Sequence, residues 1–159
     1  MKIVEGGLDN PMVTKLLHEH LAQMHENSPV GSVFALDTSA LRAPEIQFWT
    51  AWEDNQLMGC GALKAVTKQR AEVKSMRTHQ KHLRKGVAAK ILEHIMTEAR
   101  LSGFKILSLE TGSGEAFEPA LELYRKYGFT QGEVFGGYLD SDFNQFFHLA
   151  LDRRRSKAF

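Results

Sequence analysis

Apolar residues recur along this chain with two periods, close to two and close to three and a half, and the order in which the periods alternate predicts the elements. "MKIVEGG" reads as a short first strand. In "DNPMVTKLLHEHLAQMHENS" Val13, Leu16, Leu17, Leu21 and Met24 recur at helical spacing. Asn10 stands as N-cap, Pro11 at the first helical position, and the end is expected near Asn27–Pro29. "PVGSVFALDTSALRAP" keeps no period and promises at most one helical turn, at "TSALR". "EIQFWTAW" and "LMGCGALKAV", joined by the polar "EDNQ", read as a hairpin, and "AEVKSMRT" alternates as a further strand. From "HLRKGVAAKIL" onward Val87, Ala88, Ile91, Leu92, Ile95, Met96 and Ala99 form one helical stripe, with Gly103 just past its end. "KILSLET" is a strand and "EPALELYRKYGF" a helix with Pro119 in its first turn and Gly128 at its stop. "FTQGEVFG" and "FFHLAL" read as two closing strands.

The order is therefore β-α-loop-β-β-β-α-β-α-β-β. Short turns between the early strands imply antiparallel pairing, and the later strand–helix–strand unit needs a parallel crossover. An α/β (α+β) domain with a mixed, twisted sheet and helices on both faces is expected. It spans residues 1–151, with 152–159 as a basic tail.

Composition narrows the class. Apolar residues make up 43% and charged residues 25% of 159, ordinary for one globular domain. The formal net charge of +1 gives no global drive toward nucleic acid or an anionic membrane. No window approaches the roughly 18 apolar residues of a membrane span, and Met1–Lys2 leads into no long apolar stretch. Cys60 is a lone cysteine in an apolar run, which fits a reducing compartment and an inert core position. The expectation is a cytoplasmic protein without nucleic-acid or membrane partners.

The chemistry concentrates after "AEVKSMRT". There the chain turns through Leu83-Arg84-Lys85-Gly86-Val87-Ala88 into a helix whose first N–H groups have no partners. Those donors and the helix dipole suit an anion, Gly86 removes a Cβ from its path, and Arg84 and Lys85 add charge. Neither GxxxxGK[ST] nor GxGxxG is present.

This window resembles motif A of the GNAT superfamily of acetyl-CoA-dependent N-acetyltransferases, [Q/R]-x-x-G-x-[G/A]. Gly86 and Ala88 match, and Leu83 replaces the usual Arg or Gln. "ALELYRKYGF" resembles the superfamily's A-x-x-L-Y-x-x-x-G-F segment, with Phe117 where an Asn often touches the cofactor. The strings "SPVGSVFALDTSALRAP", "GCGALK", "KSMRT" and "LETGSGEAFEPA" resemble the YsnE-like N-acetyltransferases within it.

The resemblance implies about seven strands, about four helices and two central strands that splay apart. Coenzyme A would lie there against the backbone of Met76, Arg77 and Thr78, its diphosphate on the turn from Leu83 to Ala88. Phe117, Ala120 and Tyr124 would complete the cofactor site. Glu72, fourteen residues before Gly86, stands where several members carry a general base, with Glu110 in reserve; Tyr124 stands at the general-acid tyrosine. The implied reaction is acetyl transfer from acetyl-CoA to a small-molecule or peptide amine without a metal, and a homodimer is compatible with it. A non-catalytic acyl-CoA-binding module of the same fold is the alternative. The histidines give no metal spacing: His18 and His20 face differently on their helix, and no HExxH occurs. Phe48 and Trp52 share one strand face and read as core, which leaves Trp49 and the segment Ser28–Pro44 to wall the acceptor site.

Overall fold

In the computed structural model, residues 1–151 are described; the expected basic tail at 152–159 lies outside them. Ten elements follow the predicted order: β1 (Lys2–Glu5), α1 (Pro11–Glu26), β2 (Ile46–Glu53), β3 (Gln56–Ala65), β4 (Arg70–Thr78), α2 (Val87–Leu101), β5 (Ile106–Thr111), α3 (Glu118–Lys126), β6 (Thr130–Gln131) and β7 (Gln145–Ala150). They build one seven-stranded sheet in the order β1-β2-β3-β4-β5-β7-β6. Every neighbouring pair is antiparallel except β4 and β5, which α2 joins as a parallel crossover.

Local signals act where the sequence puts them. The Asn10 side chain accepts from Met12 N at 2.9 Å and Pro11 opens α1. The turn expected in "TSALR" is a single 3₁₀ turn at Ala40–Arg42. Three α-helices are present among the described residues rather than about four. Pro29, Gly31 and Pro44 punctuate the stretch between α1 and β2 too often for a second long helix to start there. The strand expected in "FTQGEVFG" shrinks to Thr130–Gln131, because after Gly132 the chain leaves the ladder to bury Phe135.

The sheet is buried on both faces. On one, Trp49, Leu63, Val73, Leu107 and Leu109 pack with Ile91, Leu92 and Ile95 of α2 and Leu121 of α3. On the other, Phe48, Cys60 and Ala62 pack with Val13, Leu16 and Leu17 of α1 and with Leu41. Phe48 is core as expected, but so is Trp49. It is 2% exposed and its indole sits edge-on to His94 of α2 at 5.1 Å. The expectation that Trp49 walls the acceptor site is therefore corrected: helices cover both faces of β2, so neither side of the alternation reaches solvent.

Glycines bring α2 down onto β3. A Cβ at Gly59 would stand 2.6 Å from the Arg77 carbonyl oxygen and 3.1 Å from both Ile91 and Val87. We expect Gly59→Ala to cost about 1–3 kcal/mol through this overpacking, lowering the melting temperature by roughly 2–12 °C. An unchanged thermal melt would contradict the close approach of the strand and helix.

Candidate active site

β4 and β5 run side by side only where Arg70, Ala71 and Glu72 face Ile106, Leu107 and Ser108. Beyond that β4 continues to Thr78 and β5 to Thr111 without pairing to each other. The origin of the divergence is a β-bulge. Cys60 opposes Arg77 and Ala62 opposes Lys74, so three steps along β4 answer two along β3. Ser75 absorbs the extra residue with φ of +55°. Its carbonyl accepts from Cys60 Sγ at 3.3 Å. Burial raises that thiol to about 12, so Cys60 stays protonated and inert at neutral pH.

The opening between the strands is a cleft of about 660 Å³. Its floor comes from Val73 through Thr78 on β4 and Leu109 through Thr111 on β5. Freed from their ladder, the backbone groups on these edges are available to a bound chain with amide groups of its own.

At one end the cleft meets the glycine turn. Leu83, Arg84, Gly86, Val87 and Ala88 all line it. Gly86 is the N-cap of α2 with φ of +79°, and it contributes no capping side chain. The first N–H groups of α2 are thus left open at the positive end of the helix. A Cβ at Gly86 would meet nothing within 4 Å, so its position faces open space. Arg84 lines the cleft, whereas Lys85 does not: its Nζ lies 3.3 Å from His82 Nδ1. The turn and the splayed edges together fit a long ligand with an anionic end, which is the shape and charge of an acyl-CoA.

α3 supplies the facing wall through Ala120, Leu123 and Tyr124, with Phe117 just before it. Phe117 is buried against Phe143, with ring centroids 5.6 Å apart. Tyr124 is 7% exposed, and burial raises its phenol to about 12. It therefore holds its proton at neutral pH and can donate it into the cleft.

The α1 side of the cleft carries polar groups. Glu110 lines it and is held by Asn144, whose Nδ2 donates to Glu110 Oε2 at 2.6 Å and to the Ser32 carbonyl at 3.2 Å. Burial is the main cause that raises the Glu110 carboxyl above the ordinary range; the Asn144 hydrogen bond and Lys74 oppose it. Glu72 is only 2% exposed and is not on the lining. Its Oε2 accepts from Lys74 Nζ at 3.2 Å and from the Tyr138 hydroxyl at 2.5 Å. Burial and the neighbouring Glu72 carboxylate together push the Tyr138 phenol well up. Phe34 packs edge-on to Tyr138 at 5.1 Å and lines the cleft with Ala35, so the irregular segment after α1 does wall this side.

Sequence reasoning missed Tyr138 and Asn144, and reached Phe34 only as part of the segment Ser28–Pro44. All three sit on segments without periodicity, and Tyr138 meets Glu72 across 66 residues. Only the unusual length of those loops marks them in the sequence. Of the histidines, His79 and His82 meet at 5.5 Å between ring centroids before the glycine turn. His148 is held on both ring nitrogens, by Ser108 at 2.7 Å and by the Glu133 carbonyl at 2.8 Å. Among the described residues no three His, Cys, Asp or Glu side chains group to hold a metal.

Residues 13–129 match the model of the acetyltransferase (GNAT) family. The "uncharacterized N-acetyltransferase YsnE" of Bacillus subtilis (strain 168) is 49% identical over 87% of this chain and 91% of that protein. The "uncharacterized N-acetyltransferase YedL" of Escherichia coli (strain K12) is 42% identical over 91% of each. The crystal structure of a GNAT family acetyltransferase from Elizabethkingia anophelis, with acetyl-CoA bound, superposes with a TM-score of 0.66. It is 17% identical and covers 94% of this chain and 97% of its own. The splayed strands, the open helix start at Gly86 and this breadth of match agree, and the chain belongs to the GNAT family of acetyltransferases as a YsnE-like member.

Proposed function

We propose that this acetyltransferase moves the acetyl group of acetyl-CoA to a primary amine by direct attack with both substrates bound. One observation carries the reading: a single cleft runs from the anion-binding turn at Gly86, between β4 and β5, to the carboxylate of Glu110. Acetyl-CoA would supply an activated acetyl thioester, with the backbone of Met76, Arg77 and Thr78 and the turn from Leu83 to Ala88 holding it. Backbone N–H groups near Met76 would polarise the carbonyl, and holding the two reactants in register supplies much of the acceleration.

Glu110 takes the base role, rather than Glu72, which the resemblance singled out. A general base must reach substrate or water, and Glu72 is 2% exposed, off the cleft lining, with its Oε2 taken by Lys74 and Tyr138. Glu110 borders the cleft with a raised proton affinity, closer to what deprotonating an ammonium near neutral pH needs. Glu72 keeps Lys74 and Tyr138 in place behind it.

Tyr124 donates the proton to the departing thiolate. A thiolate of ordinary pKa near 8.5 leaves tolerably well without help, so Tyr124→Phe is expected to lower kcat about tenfold and leave acetyl-CoA binding unchanged. Full turnover in that variant would remove Tyr124 from the mechanism. The decisive experiment is a broad screen of amine acceptors with acetyl-CoA, following thiol release. Binding of acetyl-CoA with no transfer to any amine would leave the alternative, a non-catalytic acyl-CoA-binding module.

A further inference from the structure

We propose that the amine this enzyme acetylates also carries a carboxylate, as an amino acid does, and that Arg77, His20 and Ser75 form the subsite for it. This inference rests on the N-acetyltransferase reading and names its substrate class.

The three side chains lie on the cleft where β4 faces α1. Each has a buried polar atom with no hydrogen-bond partner: Arg77 Nε, His20 Nδ1 and Ser75 Oγ. Such atoms are uncommon, and three on one wall of one cleft call for a ligand that satisfies them. Arg77 Nη1 donates to Gln23 Oε1 of α1 at 2.6 Å, which turns the guanidinium toward the α1 face. The Nε–Nη2 edge is then the free one, and that edge grips a carboxylate with two parallel bonds. Among the described residues no carboxylate forms an ion pair with Arg77. Burial lowers the pKa of this guanidinium, and the charge of Glu19 on α1 opposes that shift without cancelling it.

His20 does not compete for the anion as a second cation. Burial, with Arg77 beside it, lowers its pKa to about 4, so at neutral pH it is an uncharged hydrogen-bonding group. Ser75 owes its place to the β-bulge that also opens the strands. One distortion of β4 therefore makes room for the cofactor and sets a buried, unpartnered donor in the wall of the cleft. At the other pole of the same wall stands Glu110, with the Glu72–Lys74 pair behind it. A cation with no ion pair at one pole and a carboxylate at the other complement a zwitterion: the acceptor's ammonium at Glu110, its carboxylate at Arg77. Coenzyme A does not explain Arg77, because its anionic end is accounted for at the start of α2, on the opposite face of the sheet.

The test compares matched trios, each an α- or ω-amino acid with its carboxamide and its decarboxylated amine, as acceptors for wild type, Arg77→Gln and Arg77→Lys. The wild type is expected to favour the acid by at least about tenfold in kcat/KM, mostly through KM. The preference should fall toward unity in Arg77→Gln and persist in part in Arg77→Lys. Equal use of the trio by the wild type overturns the proposal while leaving amine acetylation intact. So does an undiminished preference in Arg77→Gln, or a loss confined to the KM for acetyl-CoA. Should no amine be acetylated, amine acetylation falls, and calorimetry of the same trios on the CoA-saturated protein decides the subsite. Tighter binding of the acid supports it; equal or absent binding overturns it.

Discussion

Gly86→Glu is expected to abolish acetyl-CoA binding, weakening it at least about 100-fold by calorimetry, with the fold retained. Two effects add. Gly86 holds φ of +79°, a conformation that costs any L side chain roughly 1–2 kcal/mol. Its Cβ direction is open, so packing contributes nothing, and Gly86→Ala isolates the backbone cost at about tenfold. The carboxylate adds the larger part. It would sit at the first N–H groups of α2, satisfying the donors that otherwise await an anion and repelling a diphosphate there. A glutamate at a helix start is locally favourable and offsets part of the backbone cost, so stability should fall by no more than about 1–2 kcal/mol while binding is lost. Near-normal binding by Gly86→Glu would show that the diphosphate is not held at this turn.

The contrast between Gly86 and Glu72 shows what one sequence makes legible. The turn was readable because its signal is local: a strand, a basic pair, a glycine and a helical stripe within a few residues. The same holds for the Asn10 cap, the two helices that end at Gly103 and Gly128, and the order of strands. The place of Tyr124 on the cleft is legible through its helix. The enclosure of Glu72 is not, because it is assembled over long distances. Alternation puts Glu72 on the same face as Lys74, but Tyr138, which completes its enclosure, comes from a loop beyond β6. Glu110 stands only in reserve in the sequence for the mirror-image reason: nothing adjacent to it shows that β5 parts from β4 just there. The parting itself depends on a bulge at Ser75, and no residue in "KSMRT" has the usual mark of positive φ. Trp49 failed on a simpler point. Periodicity separates the two faces of a strand and says nothing of whether one or both are covered.

Glu110→Gln is expected to lower kcat/KM for the amine by roughly 100-fold or more, with acetyl-CoA affinity unchanged, whereas Glu72→Gln should act chiefly on stability. The pH dependence gives the sign. Turnover needs Glu110 ionised, and its raised pKa places the rising limb of the pH–rate profile above the ordinary carboxylate range. That limb should vanish in Glu110→Gln. Linkage yields a second, opposite readout. A carboxyl whose pKa is raised on folding binds its proton more tightly in the native state. Its contribution to stability is therefore full below the unfolded pKa and declines as pH rises through the native one. At neutral pH the buried charge is a net cost, which glutamine does not carry and which Asn144 only partly offsets, since it can still donate to the Gln oxygen. Glu110→Gln should thus melt higher than wild type at pH 7 and converge with it in acid. Replacing Glu72 leaves Lys74 buried without its carboxylate, so that variant should melt lower. A protein that grows more stable as it loses turnover marks Glu110 as a group kept for chemistry. If instead Glu72→Gln loses the rising limb and Glu110→Gln keeps it, the base is Glu72, acting through the Tyr138 hydroxyl or the Lys74 ammonium that enclose it.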